Sequence, residues 1–419
     1  MDSFEKAFKG LNDIQRAAVT TLEGPILVIA GPGTGKTQLV TTRIGHILKT
    51  TDTLPSNILC LTFTEAGVEA MRERLNLFLG QAAYEINIST YHAFGSEIIR
   101  RYPEYFEAGL EPIDELESFT ILRSIITRLP YSNPLKFADA QLPDILRFIS
   151  DSKRALLLPK DVRVIAKNNQ SHIELLNKAA EPVLSKLGVI SKKSLPLFEQ
   201  LLPILDSSPT QKVKMPGSVR PLAYYAANSL KEALAEVDVN GKTTPITVWK
   251  NAWLAKDQDG NFIFAGQKQN EKLEAAAGVY EHYQSNLTKR RLYDYDDMIL
   301  RAIDVLQSRP ELKYTIAEQY LYIMLDEFQD TNPAQMRLIE LLTDHPVLEG
   351  RPNVLAVGDD DQAIYAFQGA DHANMAEFAR HYSGVKIITL EENYRSYPEV
   401  LETASRVAGQ ISDRLHLFP

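Results

Sequence analysis

Short apolar runs alternate with helical patterns over the first hundred residues of the chain. Residues 26–30 form an apolar, mainly β-branched run next to a glycine, which is typical of a buried strand. Residues 36–48 carry apolar side chains at near-helical spacing and predict a helix. The pattern continues with predicted strands over 57–63 and 85–89 and predicted helices over 65–79 and 91–101. Because strands and helices alternate, we expect a parallel sheet covered by helices on both faces.

The alternation stops in the middle of the chain. Residues 107–284 contain helical patterns, for example over 119–129 and 144–150, that are interrupted by several prolines. Trp249 and Trp253 stand four residues apart, which places both on one helical face and favours packing over a ligand site. We therefore predict a mainly helical domain inserted into the sheet domain.

Strand and helix patterns return near residue 294. An acidic segment begins a predicted helix over 293–306, and the apolar run 320–325 predicts a further strand. Two later runs, 353–358 and 385–390, predict two more strands, the second followed by a turn and a helix. The fold class predicted from these patterns is α/β.

Composition and charge narrow the classes of function. At 419 residues, 44% hydrophobic and 24% charged, the chain is an ordinary globular protein of two or three domains. A formal net charge of −9 argues against a broad basic surface, so a nucleic-acid site must be a local groove. The N-terminus lacks the apolar core of a signal peptide, and no apolar run approaches the roughly 18 residues that span a bilayer. We expect a cytoplasmic protein without membrane contact. The single cysteine, Cys60, excludes an internal disulfide and is expected in the core.

Residues 25–37 read PILVIAGPGTGKT, which is a strand, a glycine-rich loop and the start of a helix. This order matches the P-loop pattern, in which a lysine contacts the β- and γ-phosphates and a hydroxyl ligates Mg²⁺. We predict a nucleotide site here, with Thr37 as a metal ligand; the alternative is a glycine-rich turn with an exposed lysine. The predicted nucleotide-binding residues are Ala30, Gly31, Pro32, Gly33, Thr34, Gly35, Lys36, Thr37 and Gln38.

Two acidic residues follow the predicted strand 320–325. Asp326 and Glu327 come at its carboxyl end, the edge of an open parallel sheet where ligands bind. We predict that Asp326 holds magnesium and that Glu327 orients and deprotonates the water that attacks the γ-phosphate. The alternative, that the pair caps the next helix, is weaker because Asn332 and Pro333 already supply a cap and a first-turn proline.

Other candidate residues have two interpretations each. Gln15 fits a helix capping box, and it also fits recognition of an adenine edge. Gln362 either senses the γ-phosphate or is a solvated loop residue, while Tyr365 and Phe367 either stack on bases or belong to the core. Arg395 is either a structural salt-bridge residue or an arginine finger.

Eight segments in this order resemble the motifs of one protein family. They read LNDIQ, AGPGTGKT, LTFTEAGVEAM, TYHAF, YDYDDM, LDEFQDTN, VGDDDQAIYAFQGA and LEENYRS. Together they resemble the UvrD/Rep/PcrA type of superfamily 1A DNA helicase. The resemblance implies a RecA-like P-loop domain 1A over 1–106 and 285–389, a mainly helical inserted domain 1B over 107–284, and the start of a second RecA-like domain 2A over 390–419.

The resemblance also implies roles for individual residues. It assigns Gln15 to the adenine, Tyr394 to stacking on it, and Gln362 to sensing the γ-phosphate. Lys36 and Glu327 take the catalytic roles given above, and Arg395 becomes one of two arginines that neutralise transition-state charge. The residues that it places against single-stranded DNA are Phe63, Thr64, Tyr91, His92, Tyr295, Tyr365 and Phe367.

The sequence departs from the family pattern at several positions. Gln38 stands where many members have an arginine against the adenine, which weakens the case for adenine selectivity. Glu65 and Ala66 replace an Asn-Lys pair, and Gln368 replaces an arginine, so two positive charges expected near the DNA are missing. The given sequence ends at Pro419, before the family's motifs V and VI and the second arginine.

The resemblance therefore implies the N-terminal portion of an ATP-dependent, 3′ to 5′ single-stranded DNA translocase and helicase that uses ATP and Mg²⁺. Its expected partners are single-stranded DNA and single-strand/duplex junctions, in DNA repair, replication or recombination. One alternative is the motor subunit of a RecB-like helicase-nuclease. Another is a non-enzymatic, nucleotide-gated DNA-binding module. We expect weak ATPase activity from these 419 residues alone, because only one of the two arginines is present.

Overall fold

The computed structural model describes residues 3–137, 139–207, 216, 219–359 and 373–408. Its helices are α1 Ser3–Lys9, α2 Asp13–Thr20, α3 Lys36–Thr50, α4 Glu65–Leu79, α5 Tyr91–Arg101, α6 Glu115–Arg128, α7 Leu142–Arg154, α8 Pro159–Leu184, α9 Leu195–Ser207, α10 Leu222–Asn240, α11 Thr244–Trp253, α12 Gln267–Arg290, α13 Asp297–Ser308, α14 Pro310–Gln319, α15 Pro333–Thr343, α16 Ala373–His381 and α17 Pro398–Ala408. Its strands are β1 Ile26–Ala30, β2 Ile58–Thr62, β3 Asn87–Thr90, β4 Glu111–Pro112, β5 Leu254–Lys256, β6 Phe262–Phe264, β7 Leu292–Tyr293, β8 Tyr322–Leu325, β9 Val354–Gly358 and β10 Lys386–Leu390.

The chain divides into two compact units. Unit 1 is drawn from Met1–Ile113, Lys153–Ala155 and Tyr293–Pro419. Unit 2 is drawn from Asp114–Ser152 and Leu156–Leu292. Unit 1 therefore contains three residues, the last two of α7 and the one that follows, from within the stretch that otherwise forms unit 2.

A six-stranded sheet forms the centre of unit 1. Its strand order is β10-β1-β9-β8-β2-β3, and all five neighbouring pairs are parallel. This confirms the predicted parallel α/β sheet. Because all the strands run the same way, the residues after β1, β8 and β9 emerge at one edge of the sheet, where ligands bind in such folds.

Apolar side chains of β1 alternate between two cores. Leu27 packs with residues of α5, α13, α14 and α15 on one face of the sheet. Ile26 and Val28 pack with residues of α2, α3 and α4 on the other face. Cys60 is a free, buried cysteine in this second core, which confirms its predicted packing role. The sheet is thus covered on both faces, as predicted.

Most predicted bounds in unit 1 agree with the structure, but the helix predicted over 293–306 begins only at Asp297, after strand β7, and one predicted strand is displaced. The strand predicted over 85–89 lies at Asn87–Thr90. The chain before it forms a 3-10 helix over Gly80–Tyr84, and β3 then pairs with β2 from Leu59 opposite Asn87. Sheet register, rather than the local apolar pattern, therefore sets where β3 begins.

Unit 2 is mainly helical and has its own apolar core. Trp249 is 3% exposed and packs edge-to-face against Phe198 and Phe264. Its indole N–H donates a 3.1 Å hydrogen bond to the carbonyl of Ala226. The predicted packing of Trp249 is confirmed, and Trp253 is partly buried against the same core. The sequence reading missed the short antiparallel pair β5–β6 that follows α11.

Among the described residues, no helix combines the length and the apolar character that crossing a bilayer requires.

Candidate functional site

Two glycines shape the loop after β1. Gly33 and Gly35 have φ angles of 74° and 89°, in the left-handed region that other residues rarely adopt. A side chain at Gly33 would also bring its Cβ within 2.7 Å of Cβ of Arg395. Gly35 is the N-cap of α3 and offers no side chain to cap it, so the first-turn amides of α3 suit an anionic ligand.

A cavity of about 460 Å³ opens beside this loop. It joins the loop to α4, to the acidic turn after β8 and to the segment after β10. The residues that line it are Pro32, Gly33, Gly35, Lys36, Thr37, Gln38, Ala70, Arg74, Glu327, Tyr394 and Arg395. Nine of these eleven are residues that the sequence analysis assigned to nucleotide binding or catalysis, although they come from three distant parts of the chain.

Sequence reasoning missed Ala70 and Arg74, which both lie on α4. Because α4 follows the carboxyl end of β2, its residues reach the same edge of the sheet as the P-loop. Arg74 therefore brings a cation to the cavity wall that the motif comparison did not anticipate. The available signal was its place on the helix directly after the second strand.

Glu327 lies between a lysine and a glutamine. Its Oε2 is 3.0 Å from Nζ of Lys36 and accepts a 2.8 Å hydrogen bond from Nε2 of Gln329. Oε1 of Gln329 accepts a 2.9 Å hydrogen bond from the backbone N–H of Asp359, just after β9. Glu327 also has a φ of 49°, an uncommon value for a residue with a side chain. The carboxylate is thus held on two sides at a strained position, which is typical of functional sites.

Asp326 follows β8 directly and is 4% exposed. Burial, with a smaller contribution from the charge of Glu327, raises the pKa of Asp326 to about 7. The same two causes raise the pKa of Asp330 to about 7. Oδ1 of Asp326 has no hydrogen-bond partner among the described residues. A buried carboxylate with an open oxygen fits a cation ligand, because a cation favours the ionised form.

The side chain of Gln15 is 6% exposed, and both of its polar groups are engaged. Its Oε1 accepts a hydrogen bond from the backbone N–H of Asn12. The backbone N–H of Gln15 donates in return to Oδ1 of Asn12, which confirms the predicted capping box. Nε2 donates a 2.9 Å hydrogen bond to the carbonyl of Thr34 in the P-loop. Gln15 therefore braces the loop, and recognition of adenine by Gln15 stays a prediction.

The segment after β10 is hydrogen-bonded to the P-loop. The backbone N–H of Tyr394 donates a 3.0 Å hydrogen bond to the carbonyl of Gly33, and Nδ2 of Asn393 donates to the carbonyl of Pro32. The ring of Tyr394 is 60% exposed beside the cavity. Arg395 lines the cavity beside Tyr394, and both interpretations of Arg395, as an arginine finger or as a salt-bridge residue, stay predictions.

The predicted DNA-contacting residues fall into different environments. His92 stacks on Tyr295 with ring centroids 3.9 Å apart and planes 21° apart, and Tyr295 is 54% exposed. Burial lowers the pKa of His92 to about 3, with a further contribution from the charge of Arg154, so the imidazole is neutral. Tyr91, by contrast, is 1% exposed within the core, where its ring has no open face for a base. Phe63 is half-buried and Thr64 is the exposed N-cap of α4.

A buried lysine supports the segment that carries Tyr295. Nζ of Lys153 lies 2.6 Å from Oδ2 of Asp294 and 2.8 Å from Oδ1 of Asp297. Nε of Arg154 lies 2.9 Å from Oδ1 of Asp296. These two cations hold the acidic segment on either side of Tyr295. Sequence reasoning missed them because 141 residues separate Lys153 from Asp294.

Four residues singled out from the sequence lie outside the described residues. They are Gln362, Tyr365, Phe367 and Gln368. Their predicted roles therefore stay predictions.

Comparison with known proteins agrees with this geometry. Residues 11–383 match the family described as the UvrD/REP helicase N-terminal domain. The chain is 27% identical over 419 residues to the ATP-dependent DNA helicase PcrA of Leuconostoc citreum, covering 99% of this chain and 41% of that protein. It is 27% identical over 405 residues to the DNA helicase II of Rickettsia typhi, covering 96% of this chain and 45% of that protein.

A third relative has a similar identity and a similar covered share of each chain. The chain is 28% identical over 407 residues to the ATP-dependent DNA helicase PcrA of Bacillus subtilis strain 168, covering 97% of this chain and 40% of that protein. The chain thus spans less than half the length of each of these three relatives.

Proposed function

Because the chain belongs to the UvrD/REP helicase N-terminal domain family, we propose that it is the ATP-binding and DNA-binding portion of a 3′ to 5′ single-stranded DNA translocase and helicase. One observation carries the proposal. Lys36, Glu327 and Arg395, predicted from separate motifs, line a single cavity of about 460 Å³. We further propose that unit 1 corresponds to domain 1A with the start of domain 2A, and unit 2 to the inserted domain 1B.

The cavity residues have complementary roles toward ATP. The amides of the loop and of the first turn of α3 bind the phosphates, and Lys36 neutralises their charge. Tyr394 offers its exposed face to the adenine ring. Arg74 adds a second cation to the wall of the cavity. Arg395 neutralises the charge that develops on the γ-phosphate.

The residues around Asp326 fit a magnesium ion. Asp326 is buried with an open oxygen, and Thr37, in the first turn of α3, lines the cavity. No cluster of three or more His, Cys, Asp or Glu ligands exists in the described part of the chain, so phosphate and water oxygens would complete the shell. Magnesium bound there would neutralise part of the phosphate charge.

Hydrolysis requires a base beside the γ-phosphate. Glu327 is that base in our proposal, and its hydrogen bond from Gln329 fixes the direction of its carboxylate. Its Oε2 lies 3.0 Å from Nζ of Lys36, so the proposed base and the proposed phosphate-binding lysine are adjacent. This shared location favours a hydrolase over the alternative of a nucleotide-gated module without catalysis.

DNA binding rests on the stacked pair His92 and Tyr295. The half-exposed ring of Tyr295 offers a face to an unpaired base, and neutral His92 supports the ring from the other side. We also propose that the whole protein prefers single-strand/duplex junctions, because this site binds the single strand of such a junction. The names of the relatives, PcrA and DNA helicase II, favour the UvrD type over the RecB-like motor.

Two measurements on the chain test the proposal. We expect a fluorescent ATP analogue to bind with magnesium, and a single-stranded oligonucleotide to accelerate ATP hydrolysis. Arg74→Ala should weaken nucleotide binding, whereas the exposed Arg100→Ala outside the cavity should not. If the chain failed to bind ATP, or failed to bind single-stranded DNA, the proposed function would be wrong.

A further inference from the structure

Unit 2 carries an exposed aromatic loop that no role described above uses. Residues 130–137, here called the aromatic loop, follow the end of α6 and read PYSNPLKF. Tyr131 is 83% exposed and Phe137 is 78% exposed, and their ring centroids are 6.1 Å apart. Two large aromatic side chains side by side in water indicate an interaction surface.

The aromatic loop is built to hold its rings in place. Leu135, between the two rings in sequence, is 4% exposed and anchors the loop in unit 2. Oδ1 of Asn133 accepts a 2.9 Å hydrogen bond from the backbone N–H of Leu135, and two further turn hydrogen bonds link residues 130, 133 and 136. Pro130 and Pro134 restrict the backbone on both sides of the turn. Little conformational entropy is therefore lost when a ligand contacts the rings.

The segment around the aromatic loop has a local excess of cations, although the whole chain has a net charge of −9. Residues 117–139 contain the three cations Arg123, Arg128 and Lys136 and two acidic residues, Glu117 and Asp139, at the two ends of the segment. Nζ of Lys136 lies 5.2 Å from the ring centroid of Tyr131. Within the described residues, none of these three cations forms an ion pair with a carboxylate. A local excess of cations in the segment that carries two exposed rings is complementary to a polyanion with flat apolar groups.

We propose that the aromatic loop is a second binding site for single-stranded DNA, in which Tyr131 and Phe137 stack on unpaired bases and Arg123, Arg128 and Lys136 contact the phosphates. The inference rests on the proposed function, because that function supplies the single strand. An apolar protein surface is a less suitable partner, since it would leave three cations without anions.

Photochemical crosslinking with the full chain tests the site directly. A 20-nucleotide oligonucleotide containing 5-iododeoxyuridine is irradiated with the protein, and the adducts are located by mass spectrometry. We expect adducts on Tyr131 or Phe137 in addition to adducts near Tyr295. Adducts confined to the neighbourhood of Tyr295 would overturn this inference and leave the proposed function standing. If the parent chain bound no oligonucleotide, both would be wrong.

Affinity measurements supply the matched controls. The double variant Tyr131→Ala with Phe137→Ala should bind the oligonucleotide at least about fivefold more weakly, as expected for lost base stacking. Tyr131→Phe with Phe137→Tyr keeps both rings and should bind like the parent. Leu116→Ala removes another exposed apolar side chain, 74% exposed on α6 between two glutamates, and should also bind like the parent. Melting curves show whether each variant is folded.

The salt dependence and the oligomeric state complete the test. Lys136→Gln should reduce the slope of log affinity against log salt by about one. If the double variant kept its DNA affinity and instead abolished self-association measured by sedimentation, a second copy of the chain would be the partner. That result would overturn the inference.

Discussion

Nζ of Lys36 lies 3.0 Å from Oε2 of Glu327, so the proposed phosphate-binding lysine of the P-loop is paired with the proposed catalytic base 291 residues later in the chain. In the proposed mechanism, the γ-phosphate of ATP approaches Lys36 and competes with this ion pair. Without nucleotide, the pair keeps the two side chains next to each other.

Substitutions of Lys36 and of Glu327 should impair different steps, nucleotide binding and hydrolysis respectively. Lys36→Ala leaves phosphate charge uncompensated and should weaken binding of magnesium-ATP by about tenfold or more. Glu327→Gln keeps the size and most hydrogen bonding of the side chain but removes the base, so binding should persist while hydrolysis falls by about a hundredfold or more. Nucleotide titration and single-turnover hydrolysis distinguish the two. Normal binding by Lys36→Ala, or normal hydrolysis by Glu327→Gln, would contradict the assignment.

Gln329 should act on the rate of hydrolysis through Glu327. Gln329→Leu removes the hydrogen bond to Glu327 and leaves the N–H of Asp359 without this acceptor. We expect the hydrolysis rate constant to fall by about tenfold, with nucleotide affinity changed little. Gln307→Leu, on α13 outside the cavity, is the control and should change neither quantity. A loss of affinity equal to the loss of rate would point to unfolding of the site instead.

The raised pKa of Asp326 predicts a pH dependence of stability. The usual pKa of aspartate is about 4, whereas burial and then Glu327 raise the folded-state pKa to about 7. Between those values the folded state binds more protons than the unfolded state, so this group lowers the free energy of unfolding as pH rises from about 4 to 7. Asp326→Asn should therefore be more stable than the parent at pH 8, by up to about 4 kcal/mol.

Urea denaturation at several pH values measures this effect. The difference between Asp326→Asn and the parent should shrink as pH falls from 7 toward 4, because the parent carboxyl is then protonated in the folded state and becomes increasingly protonated in the unfolded state. A difference that stayed constant from pH 4 to pH 8 would show that ionisation of Asp326 is not its cause.

Tyr295 should contribute to single-strand affinity by stacking. A base–aromatic stack is worth about 1 to 3 kcal/mol, so Tyr295→Ala should weaken binding by roughly fivefold to a hundredfold. Tyr84→Ala, in the same unit and 64% exposed, should bind like the parent. Because the chain is acidic overall, we also expect a shallow salt dependence in fluorescence anisotropy titrations. Equal affinities of folded Tyr295→Ala and the parent would exclude stacking at this residue.

Lys153 should be far more important for stability than an exposed cation. Lys153→Met leaves Asp294 and Asp297 buried without their cation, which typically costs about 3 to 5 kcal/mol of unfolding free energy. The control is Arg163→Met, whose exposed ion pair with Glu281 is worth at most about 1 kcal/mol. Chemical denaturation of both variants gives the comparison. Equal losses would show that the buried charges are compensated in another way.

Local patterns predicted the elements of unit 1 well, because a buried strand and an amphipathic helix are recorded in neighbouring residues. The bounds Ile26–Ala30, Glu65–Leu79 and Tyr91–Arg101 follow from apolar spacing alone. The order of the strands does not, since β1 pairs with β9 and β10, more than 300 residues later. Local spacing carries no information about such pairings.

The candidate site shows the same division. The P-loop and the acidic pair are local patterns with a known chemistry, and their residues line one cavity. Contacts between separate segments of the chain were missed. Examples are Gln15 with Thr34, 19 residues apart, and Lys153 with Asp294, 141 residues apart. Tyr91 illustrates the opposite error of a motif comparison, because its position in the motif does not reveal that its ring is buried in the core.

The position of β1 in the sheet also determines when this strand can pair during synthesis of the chain. Both neighbours of Ile26–Ala30 in the sheet, Val354–Gly358 and Lys386–Leu390, are synthesised more than 300 residues after it. At about 5 to 20 residues per second, this apolar strand waits on the order of tens of seconds with both edges unpaired. Nascent-chain proteolysis should therefore find unit 2 protected before unit 1, and translation in the cell exposes β1 to chaperones throughout that interval.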